Sequence, residues 1–361
     1  GEITWECLPN GQFRFYLTLF RDCSGINLGT SASISSNSPA GSISMSIVPG
    51  WPKDVSNDCT KSCTSSGLTP QDGIIQEFKY QSNPITLNGV PPATGWYFYY
   101  TSCCRPGGMA NTNASNYYLR AIMYPYAING VNQNTYPCFD NSPNFLEAPR
   151  VRTCNGYSYT YNNLASDKEL DSLYFAWAPP SDAFSGGTFG GIAFTGGYSY
   201  TNPIPGTVTF NNKAGQINIT GNNSQGSFVT CMVVEAYKDC QKVAEVYRDI
   251  PMIFQNCPNY TNSPPDMTIS NLPGFPVLTP STDSLVWSTT VYAGQQVKFR
   301  ITANDYDLQP NFLPQNVIFK GSGGQLGIPY TSATNCLYTA PCATIVPVAP
   351  QTGYTKPSNN R

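Results

Sequence analysis

Nowhere in this chain does an apolar period of 3.6 residues hold for three turns, the pattern that commits a segment to an amphipathic helix. Apolar and polar residues instead alternate in short runs: Ile3, Trp5 and Cys7 in one, Phe13, Phe15, Leu17 and Leu19 in the next, with Pro9-Asn10-Gly11 between them. A period of two sends neighbouring side chains to opposite faces of a pleated strand, and Asn-Gly supplies the positive φ of a tight hairpin turn. The same signal returns in Ile74-Tyr80, Gly95-Cys103 and Tyr117-Tyr124. The chain is therefore expected to be all-β with helix below roughly 10%, built as tandem immunoglobulin-like or cadherin-like β-sandwich modules with long cystine-held loops.

Composition narrows the chemistry. Of 361 residues, 19 are Lys or Arg and 21 Asp or Glu, so only 11% are charged, and there is no histidine. A slightly acidic chain without basic clusters is no electrostatic nucleic-acid binder. Without imidazole, no Ser-His-Asp triad, Cys-His pair or His-ligated zinc can form. No apolar stretch approaches about 18 residues, so no membrane-spanning helix is expected. Thirteen cysteines lack zinc-ribbon or redox spacing and are expected to be mostly oxidised, with the odd count leaving at least one unpaired within the chain. Residue 1 opens directly into a strand pattern, as expected of a mature exported chain.

Three domains are expected: 1–148, an N-terminal β domain; 149–258, an Ig-like sandwich; and 259–361, a second, incomplete sandwich with a Pro/Asn/Ser-rich tail. The Ser/Gly/Pro-rich stretch 24–70 reads as loops held by cystines. A shift of 138 places superposes Gly156 on Gly294, Ala165 on Ala303, Asp167 on Asp305 and Glu169 on Asp307 without a gap. This short internal repeat suggests two similar modules.

Several of these pieces together resemble a known family, the large surface proteins of Bacteroidota that leave the cell by the type 9 secretion system and are often described as gliding-motility-associated. The opening GEITWECLPNGQFRFYLTLFRDC is similar to the family's mature N-terminus, and Cys103-Cys104-Arg105 to its paired-cysteine strand. The run Ala165 to Leu173, after Pro143-Asn144-Phe145 and Cys154-Asn155-Gly156, is similar to a family Asp-x-Asp-Gly-Asp-Ser-Leu segment, with Glu169 in place of an Asp and Leu170 in place of the Gly. The resemblance covers residues 1 to about 260. It implies export to the outer-membrane cell surface, with translocon components and other surface proteins or glycans as partners. No family sorting domain is evident, so the chain reads as an N-terminal portion of a longer polypeptide.

Asp167, Glu169 and Asp171 alternate in an extended loop, and Asp305 and Asp307 repeat the first two. Hard oxygens at that spacing suit Ca²⁺, which needs six to eight ligands, and the same acids also read as a solvated turn. Among the cysteines, Cys103 and Cys104 point to opposite strand faces and should take different partners. Cys154 with Cys257 would staple the second module, Cys231 with Cys240 a hairpin, and Cys336 with Cys342 a small loop. A zinc site from Cys59, Cys63, Cys103 and Cys104 is the rival reading. Gly186–Gly191 reads as a flexible aromatic-glycine loop, without the Gly-Lys-Ser/Thr ending of a phosphate loop. Tyrosines of the Trp96–Tyr100 and Tyr157–Tyr161 runs face either core or a sugar. The function expected is a non-catalytic structural or adhesive module of a secreted surface protein; a carbohydrate-binding module is the alternative, and a two-carboxylate glycoside hydrolase ranks behind both.

Overall fold

The computed structural model describes residues 1–56, 61–103, 105–133, 138, 140–146, 148–149, 152–256, 266–281, 287–292 and 295–304. Regular structure among them is extended, apart from one 3-10 turn at Pro70–Asp72. The all-β class is what the chain adopts.

The first unit, Gly1–Asn256, is built on a largely antiparallel sheet of fourteen strands. Its main path runs Glu2–Cys7, Phe13–Asp22, Ile75–Ser82, Ser42–Ile47, Ser31–Ser36, Trp96–Ser102, Tyr117–Met123, Gln241–Gln255, Gly226–Lys238 and Ser172–Trp177. The N-terminal hairpin pairs Ile3 with Leu17 and Trp5 with Phe15, and all four are buried on one face. Its connection is longer than a two-residue turn. Cys7 pairs with Phe13, residues 8–12 bridge them, and within that loop positive φ belongs to Gly11 (79°), whose N–H donates to the Leu8 carbonyl.

The stretch 24–70 is not simply loop. It holds a hairpin, Ser31–Ser36 with Ser42–Ile47, in which Ile34, Ile43 and Met45 enter the core while serine fills the outward positions. Serine is a poor strand former, but an intact period of two suffices when one face is buried.

Glu2–Cys7 also packs against Trp96–Ser102, Tyr117–Met123 and Gln241–Gln255, strands with which it shares no backbone ladder. The sheet thus coils over itself, and its main core fills the space between. Phe15 and Phe98 meet there at 4.4 Å between ring centroids, in one cluster with Leu119, Phe175, Val234 and Val246. This shared core overturns the expected division at 148/149. Tyr117–Met123 pairs with Gln241–Gln255 through Ala121 and Val246, so the two halves bury their apolar faces against each other instead of closing separately.

The Gly226–Lys238 and Gln241–Gln255 ribbon is the spine of the unit. One end contributes to the main core. The other packs Phe228, Ile250, Met252 and Phe254 against a three-stranded sheet of Tyr159–Asn162, Gln216–Thr220 and Thr207–Asn211. Asp239 and Cys240 turn the ribbon with φ of 46° and 60°.

Two cystines have both partners among the described residues. Cys7–Cys138 ties the first strand to a distant loop (Cα–Cα 5.7 Å), and Cys23–Cys63 closes the serine-rich excursion (Cα–Cα 5.2 Å). Cys103 and Cys154 are disulfide-bonded too, whereas Cys59, Cys104, Cys257, Cys336 and Cys342 lie outside the described residues. With Cys63 bridged to Cys23 and Cys103 oxidised, the four-thiolate zinc site is not built. Nor does Cys231 bridge Cys240. Cys231 sits mid-strand opposite Asp249, and Cys240 lies in the turn between Lys238 and Gln241.

A second unit begins at Cys257. In it Asp266–Asn271 pairs antiparallel with Phe299–Asn304, and Thr279–Pro280 with Trp287–Ser288. Asp305 and Asp307 lie outside the described residues.

Candidate functional site: a buried lysine among carboxylates

The acidic loop expected to bind Ca²⁺ joins the short strand Ala165–Ser166 to Ser172–Trp177. Leu170 takes φ 67° there, the left-handed geometry that favours glycine, so the tight turn forms without the glycine of the resembling segment. The Asp171 N–H donates to Asp167 Oδ1 (2.9 Å) and clamps that turn. Burial of the Leu170 side chain, 7% exposed, offsets the strain.

The three acids do not converge on one point. Glu169 turns aside and accepts hydrogen bonds from the Asn141 amide N–H (3.3 Å) and side-chain NH₂. Asp167 and Asp171 point inward and meet Asp140, which the pattern of alternate acids did not mark. The three are 3%, 5% and 2% exposed. Lys238, at the end of the ribbon strand, brings its ammonium to 2.7 Å from Asp171 Oδ1 and 3.2 Å from Asp140 Oδ1.

A lysine therefore supplies the cation that the acidic spacing calls for. Among the described residues no group of three acids is disposed to hold a metal ion, and Lys238 is the physical reason at this loop. The residues do not fit the expected Ca²⁺ shell, because an ammonium already occupies the mouth of the cluster and Glu169 faces elsewhere.

Three acids against one lysine leave a surplus of negative charge in a dry site. Burial first, and the Asp171 charge second, hold Asp140 well above the ordinary carboxylate range. The same two causes push Asp167 up to about 7. Burial raises Asp171 as well, with Lys238 pulling it back. Burial lowers Lys238, but Asp140 and Asp171 outweigh it and keep the ammonium above its usual range. Both Asp140 oxygens, Asp167 Oδ2 and Asp171 Oδ2 are buried without a hydrogen-bond partner. Such a cluster holds protons at neutral pH.

Other ionic groups serve as braces between strands. Arg105 grips Asp249 with two hydrogen bonds, 3.0 and 2.9 Å, at 2% and 5% side-chain exposure. Arg248 donates to Glu2 at 3.0 Å and lies 4.3 Å from the Phe145 ring centroid. Lys242 lies 2.7 Å from both Glu235 and Glu245.

A cavity of about 380 Å³ opens beside the Arg105–Asp249 pair, lined by Leu19, Ile26, Leu28, Met109, Pro251 and Ile253 among others. The Gly1 amine also borders it and donates to Tyr117 Oη (2.8 Å) and the Asp249 carbonyl (2.7 Å). The named polar groups on this wall thus already engage one another, leaving an apolar lining.

The tyrosine strand separates as alternation requires. Trp96 and Phe98 enter the core, while Tyr97 and Tyr99 face out and are met by Phe184 and Phe189, with centroids 4.7–5.8 Å apart. Phe184 comes from Ser181–Ser185 and Phe189 from the Gly186–Gly191 region, which is no flexible loop. It is the turn and second strand of a hairpin, Ser181–Ser185 with Thr188–Gly191, and Gly186 and Gly187 turn it with positive φ.

No family model, curated protein or solved structure matches this chain.

Proposed function

We propose that the chain is a non-catalytic structural or adhesive module of a secreted surface protein, delivered to the outer-membrane cell surface through the type 9 secretion system. The observation that carries this reading is the use made of the ionic groups. Arg105, Arg248, Lys238 and their partner acids are paired with one another and hold separate segments of the unit together. Oxidised cysteines support an oxidising address outside the cytoplasm. A low-charge surface braced by cystines suits a protease-resistant contact surface, with translocon components and other surface proteins or glycans as partners. The covered Tyr97–Tyr99 row speaks for contact architecture over an open sugar platform. Surface biotinylation of intact cells, with and without the translocon, tests this. Labelling in wild-type cells that disappears in the mutant is expected; a cytoplasmic protein overturns it. Saturable binding on a glycan array would move the assignment to a carbohydrate-binding module.

A further inference from the structure

Lys238 meets Asp140 in an unusual way. Their 3.2 Å contact lies within ion-pair range, yet neither Asp140 oxygen is aligned to accept a hydrogen bond, and Asp140 is 2% exposed. A carboxyl carbon lies about 1.2 Å from its oxygen, so Asp140 Cγ is at most about 4.4 Å from Lys238 Nζ. Attack geometry needs about 3–3.5 Å, within reach of a small side-chain rotation. The same Nζ donates a true hydrogen bond to Asp171 Oδ1 at 2.7 Å. An amine, a buried carboxyl and a second carboxylate in contact with the amine are the three parts of an amide condensation.

We propose that Lys238 Nζ and Asp140 Cγ join in an intramolecular isopeptide bond, with Asp171 carrying the protons. The ammonium of Lys238 passes one proton to the Asp171 carboxylate. The freed lone pair attacks Cγ of Asp140 in its acid form; the C–N bond forms and the C–OH bond breaks. The second nitrogen proton travels through Asp171 to the leaving hydroxyl, which departs as water, and Asp171 ends protonated. One lysine ammonium, one carboxylate and one carboxylic acid become one amide, one water and one carboxylic acid, so atoms and charge balance and no oxidant is needed.

The surroundings favour each step. Burial holds Asp140 in the acid form, which lets hydroxyl leave as water. The proton that leaves Lys238 moves only along an existing hydrogen bond. Asp167 is a positioning residue, fixing Asp171 through the Asp171 N–H to Asp167 Oδ1 bond. The link would tie the loop after Cys138 to the end of the ribbon strand, a second covalent brace beside Cys7–Cys138 that survives reductants. The inference concerns the cluster alone and stands whether or not the chain is surface-exported.

The test is the intact mass of the purified chain after reduction and alkylation, followed by a peptide map. The expected result is a mass one water below that of the sequence, with the Lys238 peptide joined to the Asp140 peptide. Asp171→Asn and Lys238→Arg should return to the mass their sequences require. The map also separates this link from a succinimide at Asp72-Gly73, which loses the same mass within one peptide. A wild-type chain at full mass, meaning an ion pair only, overturns the proposal. So does a link that lands on Asp171, or water loss that persists in Asp171→Asn. The wild-type result decides even if a variant fails to fold.

Discussion

Replacing Arg248 with methionine removes the cation that the N-terminal strand needs and keeps most of the side-chain volume. Arg248 is fully buried at 0% exposure and its partner Glu2 is 5% exposed, with Nε 3.0 Å from Oε2. In Arg248→Met the Glu2 carboxylate stays buried without its partner, a loss of about 3–5 kcal/mol. For a unit this large each kcal/mol moves the melting temperature by about 2–4 °C, so the variant should melt roughly 6–20 °C below wild type. Glu2→Gln alone should also destabilise, by stranding the guanidinium. The double variant Glu2→Gln/Arg248→Met should then cost much less than the sum, because no buried charge is left without its partner. Differential scanning calorimetry of the four proteins measures the cycle. A single-variant drop below about 2 °C, or additive losses, would refute the reasoning that this pair is a buried brace.

Three further outcomes follow from the same structure. Asp167 titrates near 7 in the folded chain, above its unfolded value near 3.8, so the folded state binds the extra proton. That contribution is full below about pH 4 and is lost as pH rises through 7; Asp167→Asn should therefore gain stability over wild type at pH 8 but not at pH 4, by up to a few kcal/mol. A difference between the two that does not change with pH refutes this. Because Lys238 fills the cluster, added Ca²⁺ should shift the melting temperature of wild type and Asp167→Asn equally; a shift lost in the variant would return calcium to this loop. Removing the Cys7–Cys138 bridge by a double serine substitution frees a span of 131 residues and should cost about 2–5 kcal/mol in chemical denaturation, whereas an unchanged midpoint would contradict its bracing role.

Much of the sheet was legible because period-two alternation is local. Ile3, Trp5, Phe13, Phe15 and Leu17 declare one face whatever packs on it. The hairpin of Ile34, Ile43 and Met45 escaped notice because serine at the outward positions looks like loop composition, although the period itself was intact. The division at 148/149 failed for a different reason. The second strand to pair with Tyr117–Met123 is decided more than a hundred residues later, by Ala244–Val246, and no local pattern carries that. The acidic site was found in part. Asp167 and Asp171 lie in the cluster, but Glu169 turns to Asn141, while Asp140 and Lys238 come from distant segments and give no spacing signal. One trace was available: a chain this poor in charge that buries acids must bury a cation among them. The cystines taught the same lesson, since Cys7 with Cys138 and Cys23 with Cys63 are set by the coil of the sheet and not by proximity in sequence.

The central claim, a cystine-braced module working outside the cytoplasm, is tested most directly by non-reducing peptide mapping of the protein taken from its own cells, with thiols blocked at the moment of lysis. The account predicts linked peptides for Cys7–Cys138 and Cys23–Cys63 and no blocked thiol at those four positions. Blocked thiols at all four, in protein that is otherwise folded, would contradict it.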